Sequence, residues 1–369
     1  MISEVTMKNA RYGFLTNGGK TVALISALFL SLFLFSCADL LVSGLALEAR
    51  RAIEAADPAM GDWQGSWKLD DESDSGLLAA QVIALGQGAY RANFYGRFDT
   101  REEPVAVLQG RREGKTVRFT GLAISEGAEL QVRGAIEGRK FTGTFEDEDT
   151  TGSFAVERAI RLSPTLGAKP PAGAVVLFDG KDFDAWKRIS KKSGDESVQW
   201  KLVGAGAMEA KPRTGSIITK KEFADVELHL EFRTPFMPDA RGQKRGNSGV
   251  YLHGRYEVQV LDSYGLEGLD NECGGIYKVA PPLVNMCAPP MQWQTYDITF
   301  QAPRFDSTGK LIRDARMTVI HNGVKIHDNI EVSKATKAAQ GGDVTQRGGI
   351  YLQDHGNPVQ YRNIWLVEL

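Results

Sequence analysis

Gly246-Asn247-Ser248-Gly249-Val250-Tyr251-Leu252, followed after a short turn by Tyr256-Glu257-Val258-Gln259-Val260-Leu261-Asp262, is the stretch that decides the fold. In the second run apolar and polar residues alternate, the period of a half-buried β-strand. Val258 and Val260 point to one face and form core; Glu257 and Gln259 point to the other. One extra residue at Val260-Leu261, a β-bulge, would return Asp262 to the Glu257 face and bring two carboxyls together across an amide. Converging titratable groups of this kind mark functional sites.

The same alternation continues outward. Val226–Arg233, Tyr296–Gln301, Met317–Ile320, Gly349–Gln353 and Tyr361–Val367 read as strands, and Asn322-Gly323 between Thr318–His321 and Val324–Ile326 is a type I′ hairpin signal. In Gly348–Gly356, Ile350 and Leu352 alternate into the core, while Tyr351, Gln353 and His355 share the other face. Arg362 follows on the next strand, so a proton shuttle and a cation are expected beside the carboxylates. All five His fall after residue 175, and His229 reads as structural. Residues 175–369 show no sustained helical period and read as a jelly-roll sandwich.

Residues 58–162 read as a small antiparallel β barrel or sandwich: short strands with hairpin turns at Glu113-Gly114-Lys115 and Glu137-Gly138-Arg139. Residues 163–174, with Pro164, Pro170 and Pro171, read as a stiff linker. The chain is therefore all-β. Its Gly content, 40 of 369 residues, suits many turns, and a net charge of -2 gives no overall attraction to nucleic acid.

Residues 1–57 read as a signal segment and spacer. Lys8, Arg11 and Lys20 precede the apolar run Val22–Phe35, which is short for a membrane span. Leu34-Phe35-Ser36-Cys37 is similar to a bacterial lipobox, with Cys37 the lipidated residue; ordinary cleavage near Gly44-Leu45-Ala46 and an uncleaved anchor are the alternatives. Each exports the rest of the chain, so the protein is expected outside the cytoplasm, meeting the membrane only through this segment. Only three Cys occur, and in an exported chain Cys273 and Cys287 are expected to form a disulfide.

Taken together, Leu177-Phe178-Asp179-Gly180 with Trp186, Gly246–Gly249, Tyr256–Asp262, Gly275-Ile276-Tyr277, Trp293–Asp297, Asn322-Gly323, Leu352–Gly356 and Arg362-Asn363-Ile364 resemble the 3-keto-disaccharide hydrolase domain family over about 175–369. The resemblance implies a concanavalin A-like lectin/glucanase jelly roll and cleavage of glycosides oxidised at sugar C3. It is similar also to retaining glucanases with Glu-x-Asp-x-x-Glu, but Gln259 replaces the middle Asp and Asp262 the final Glu, which weakens double displacement. A 3-keto sugar has an acidified C2 hydrogen, so proton abstraction, elimination of the C1 substituent and hydration give another route. On this reading Glu257 or Asp262 is the base, His355 the acid or base partner and Arg362 the enolate or substrate clamp. Asn247, Gln259 and Gln353 orient hydroxyls. No cofactor is required, although a divalent cation such as calcium on Glu257, Asp262 and His355 could replace Arg362. The alternative from another class is a carbohydrate-binding lipoprotein without catalysis.

Overall fold

In the computed structural model the described residues are 37–125, 128–189, 194–337, 339 and 344–369. The signal-like run Val22–Phe35 and Leu34-Phe35-Ser36 of the lipobox lie outside them. The chain divides into two compact units, residues 1–44 and 45–369. Of the first, 37–44 are described, as the opening of helix α1 (Cys37–Ala56).

That helix bears only on the part of residues 1–57 read as spacer, the residues after Cys37; the signal-like residues before it lie outside the described ones. Ile53 is buried in the apolar core of the strands after it, together with Ala59 and Met60. A short amphipathic helix is easily read as a spacer when the surface it covers lies far ahead in sequence.

Eight antiparallel strands then close into a barrel: β1 (Gly61–Leu69), β2 (Ser75–Ala84), β3 (Ala89–Tyr95), β4 (Ala106–Glu113), β5 (Thr116–Ser125), β6 (Ala128–Glu137), β7 (Lys140–Glu146) and β8 (Thr151–Arg158). Each strand pairs with its sequence neighbours, and β8 closes on β1. Closure removes every exposed sheet edge. Trp63, Phe119, Phe141 and Phe154 fill the interior, with Trp63 and Phe154 each edge-on to Phe141.

Residues 175–369 form a sandwich. One sheet has the order Trp186–Arg188, Ile217–Thr219, Tyr351–Leu352, Ser248–Leu252, Tyr256–Val260. The facing sheet is built around Val226–Arg233, paired on one side with Gln360–Glu368 and on the other with Gln294–Gln301. Val250, Val258, Val260, Ile350 and Leu352 from the first sheet meet Leu228, Leu230, Phe232, Ile298 and Ile364 from the second in one core. The Asn322-Gly323 turn has φ of 50° and 83°, as the type I′ hairpin requires.

Segment 163–174 does not simply space the lobes. Thr165 Oγ1 donates to Asp297 (2.7 Å), the Gly167 N–H to Glu231 (2.6 Å), and Asn363 to the Ala168 carbonyl (2.9 Å), which fastens the segment to the outer face of the second sheet.

Candidate active site

The face of the first sheet turned away from the core carries a polar cleft of about 200 Å³, lined by Gln243, Asn247, Glu257, Gln259, Tyr277, Lys337, Gln353 and His355. Strand alternation builds it. Val258 and Val260 occupy the core, so Glu257 and Gln259 must face outward, and the neighbouring strand presents Asn247, Gly249 and Tyr251 to the same side. Tyr251 is the direct cross-strand partner of Glu257.

Glu257 is buried on the cleft floor, 3% exposed. Burial pushes its carboxyl up to about 8, although a hydrogen bond with Tyr251 pulls the other way. Tyr251 accepts a hydrogen bond from Gln353 Nε2 (2.9 Å), and its ring packs edge-on against Tyr351 (4.6 Å). Gly249 makes the arrangement possible: a Cβ there would lie 2.3 Å from Glu257 Oε1 and 2.9 Å from the Tyr251 ring.

The amides form a second group. Gln243 Oε1 accepts from Asn247 Nδ2 (3.1 Å) and from Gln259 Nε2 (3.1 Å). This leaves Asn247 Oδ1 and Gln259 Oε1 as buried acceptors with no partner among the described residues. Such groups are costly unless a ligand donates to them, so they suit the hydroxyls of a sugar.

Loops supply the remaining wall. The Gly274 N–H donates to the Gln259 carbonyl (3.0 Å) and the Tyr277 N–H to the Glu257 carbonyl (3.1 Å), which covers the sheet edge and places Tyr277 at the cleft. Thr336 Oγ1 accepts from the Glu257 N–H (3.0 Å) and donates to the Arg255 carbonyl (3.0 Å), which sets Lys337 beside it. The Asp354 carboxylate accepts from the Gly215 and Gly356 N–H groups (2.9 Å each) and holds the loop that carries His355.

Of the residues expected at the site, Glu257, Gln259, Asn247, Gln353 and His355 converge. Asp262 does not. The strand pairs without a register shift as far as Val260, so no bulge turns Asp262 back to the Glu257 face. Leu261 enters the core, and the fully buried Asp262 side chain is ion-paired with Arg245 at 2.5 Å. Arg362 does not reach the cleft either. Its strand belongs to the opposite sheet, and Tyr361 beside it points inward to Ser248 (2.7 Å), so Arg362 points out. It pairs with Glu231 at 2.6 Å and lies over the Trp293 ring. Burial alone would raise the Glu231 carboxyl, but its bonds with His229, Asn363 and Arg362 outweigh that and hold it at about 2.

With Asp262 elsewhere, the expected cation ligands do not fit. Only Glu257 and His355 of that set line the cleft, and among the described residues no three His, Cys, Asp or Glu are grouped to hold a metal. The disulfide also needs correction. Cys273 and Cys287 are free buried thiols, hydrogen-bonded to each other; Cys273 lies 3.3 Å from the Tyr296 hydroxyl and Cys287 donates to the Leu261 carbonyl at 3.5 Å. Sequence reasoning passes over Tyr251, Tyr277, Gln243 and Lys337. Tyr251 is within reach of the alternation that assigns Glu257.

Fold and cleft together define a glycoside hydrolase-like β-sandwich protein. The chain matches the family described as the 3-keto-alpha-glucoside-1,2-lyase-like domain over residues 173–367, more than half its length, and belongs to that family. It is similar to a "3-keto-disaccharide hydrolase" of Bacteroides thetaiotaomicron, 24% identical over 276 residues, covering 62% of this chain and 91% of the relative. Among solved structures it is similar to a "putative glycosyl hydrolase" of Parabacteroides distasonis at 36% identity and TM-score 0.49, covering 54% of this chain and 85% of the other. A second such structure from that organism shows 20% identity and TM-score 0.40, covering 53% of this chain and 94% of the other.

Proposed function

We propose that this protein cleaves 3-keto-glycosides by removing the C2 proton and expelling the C1 substituent. The observation that carries the reading is the buried Glu257 carboxyl, raised to about 8 on the floor of a cleft with unpaired amide acceptors. A carboxylate this basic is suited to a carbon acid activated by a neighbouring ketone. The family description, a 1,2-lyase acting on a 3-keto-glucoside, supports the same bond change.

Glu257 takes the C2 proton, and the electron pair passes into the C3 carbonyl as an enolate. Tyr277 and Lys337, donors on the cleft wall, take the enolate-stabilising place that Arg362 leaves empty. The enolate then re-forms the C3 carbonyl, a C1–C2 double bond appears and the C1–O bond breaks. His355, exposed at the cleft, gives its proton to the leaving oxygen. Water then adds its oxygen at C1 and gives a proton to His355, while Glu257, its proton exchanged with solvent, protonates C2, so both groups are restored and the sum is hydrolysis. Asn247 Oδ1 and Gln259 Oε1 accept from sugar hydroxyls.

The test is turnover of a 3-keto-glucoside in heavy water. Deuterium at C2 of the released sugar is expected, with a loss of at least about 100-fold in Glu257→Gln, the low end for a general base. Release of unlabelled sugar, or an undiminished rate in that variant, would overturn the mechanism. Binding of 3-keto-glucosides without turnover would leave a carbohydrate-binding protein.

Export belongs to the same proposal, supported by Lys8, Arg11 and Lys20 before Val22–Phe35 and by Leu34-Phe35-Ser36-Cys37. Radiolabelled lipid should appear on the wild-type protein and vanish in Cys37→Ala. Label that survives the substitution would remove the lipid anchor from the reading.

A further inference from the structure

The two ends of the barrel are built differently. At one end, where β1 begins, Ile53 of α1, Ala59 and Met60 close the lumen. Asp57 ties that end down through the Tyr90 hydroxyl (2.6 Å) and Arg112 (3.0 Å). The end where β1 finishes is open. A cavity of about 430 Å³ sits there, walled by Trp67, Phe94, Phe145 and Phe154 with aliphatic side chains such as Leu78 and Val132 between them.

This space is not a packing lapse at a loop. Trp67 and Phe145 meet edge-on at 6.1 Å, each laid over a glycine. A Cβ at Gly76 would lie 2.7 Å from the Trp67 indole nitrogen, and one at Gly152 2.2 Å from the Phe145 ring. The glycines let the rings lie against the wall and leave the lumen free. Leu77, Ile124 and Val105 stand around the mouth at 70%, 67% and 47% exposure. Apolar side chains gathered at the rim of an apolar cavity are unfavourable in water unless something covers them. The volume falls within the range of about 300–1,000 Å³ that small-molecule sites occupy.

The lining also restricts the charge of the guest. Among the described residues that line it, Asp74 is the one ionisable group, with no Lys, Arg or His. A carboxylate or sulfate ligand would find no counter-ion among these residues and would meet Asp74.

We propose that the open end of the barrel binds an uncharged apolar small molecule, at a site separate from the cleft of the sandwich. Full-length protein titrated with the neutral dye N-phenyl-1-naphthylamine should take up one equivalent with enhanced fluorescence. Dodecanol should displace it, and laurate should do so at least about tenfold more weakly, a difference of about 1.4 kcal/mol. Ala106→Phe, which places a ring in the cavity, should weaken uptake by about tenfold or more on the same scale. Where that variant fails to fold by circular dichroism, Ala123→Phe at the mouth serves instead. Absence of dye uptake by the wild type would overturn the proposal, as would uptake unchanged in a folded variant or equal displacement by laurate. Attachment to neutral phosphatidylcholine vesicles that Ile124→Gln abolishes, with no uptake of free dye, would replace it with a membrane-docking rim.

Discussion

Tyr251 stands directly across the strand pair from Glu257, and its hydroxyl is bonded to the buried carboxyl while also reaching the Lys337 carbonyl at 3.3 Å. With a single proton, the hydroxyl can serve the carbonyl or the carboxylate, but not both. Ionising Glu257 therefore draws that proton toward the cleft floor. The pair forms one titrating unit at the point where the proposed mechanism removes the C2 proton.

A base must be unprotonated to act. kcat/KM on a 3-keto-glucoside should therefore fall as pH drops through about 8, the value to which burial raises Glu257. Tyr251→Phe removes a bond that favours the carboxylate, so the limb should move to higher pH. A limb that stays in place, or moves to lower pH, would show that Tyr251 does not tune the base.

Gly249→Ala tests geometry without touching a polar group. The new methyl would sit 2.3 Å from Glu257 Oε1, so the carboxyl must turn. Turnover should drop by about 100-fold, as displacement of a reacting group by about 1 Å does, with far-ultraviolet circular dichroism unchanged. Wild-type rates would show that the carboxyl has room to spare.

Glu257→Gln and Asp262→Asn should separate chemistry from structure. The folded-state value of Glu257 lies above its ordinary 4.5, so the native state holds the proton more tightly and its stability falls as pH rises from 4.5 through about 8. Glu257→Gln escapes that loss, and its Tm should exceed that of the wild type at pH 9 while activity is lost. Asp262→Asn leaves Arg245 buried without its counter-charge and should cost about 3–5 kcal/mol, with turnover per folded molecule retained. Equal stability of Asp262→Asn and the wild type in urea melts would contradict the role given to the Arg245 pair.

Cys273 and Cys287 should remain thiols. Mass measurement of unfolded, alkylated protein should show both modified, and the native protein should react slowly because both are buried. A mass lower by about 2 Da before reduction, the two hydrogens lost on forming an S–S bond, would restore the disulfide.

Much of the sandwich is legible because alternation is local. Val258 and Val260 against Glu257 and Gln259 fix which face is core, and the observed strand Val226–Arg233 has the limits read from its residues. What local pattern lacks is the partner. Arg362 comes soon after His355 in sequence, yet Tyr361 turns into the core beside Val226–Arg233 and carries Arg362 to the far sheet. Asp262 keeps a glucanase-like spacing, but Leu261 stays in the core and the chain leaves the sheet toward Arg245. Lys337 carries no signal of its own; Thr336, bonded to the backbone of strand Tyr256–Val260, brings it to the cleft. Helix α1 escapes notice for a similar reason, since the barrel end that Ile53 closes is made by residues far along the chain.

The chain that leaves strand Tyr256–Val260 goes straight to the barrel. The Tyr264 hydroxyl donates to Asp62 of β1 (2.6 Å), and the Gly265 carbonyl accepts from Asn93 (2.9 Å) and Arg91 (2.8 Å) of β3. Gly265 has a φ of 70° and approaches Ile83 so closely that a Cβ would lie 2.6 Å from that side chain. The family boundary at residue 173 and the boundary of the foldable body thus differ. A gene trimmed to residues 173–369 would encode every side chain of the cleft and still strip Tyr264 of its acceptor, a few residues beyond Glu257. Anyone expressing this protein for assay or crystals should keep the preceding strands, because the barrel is part of the scaffold on which the strand carrying Glu257 ends.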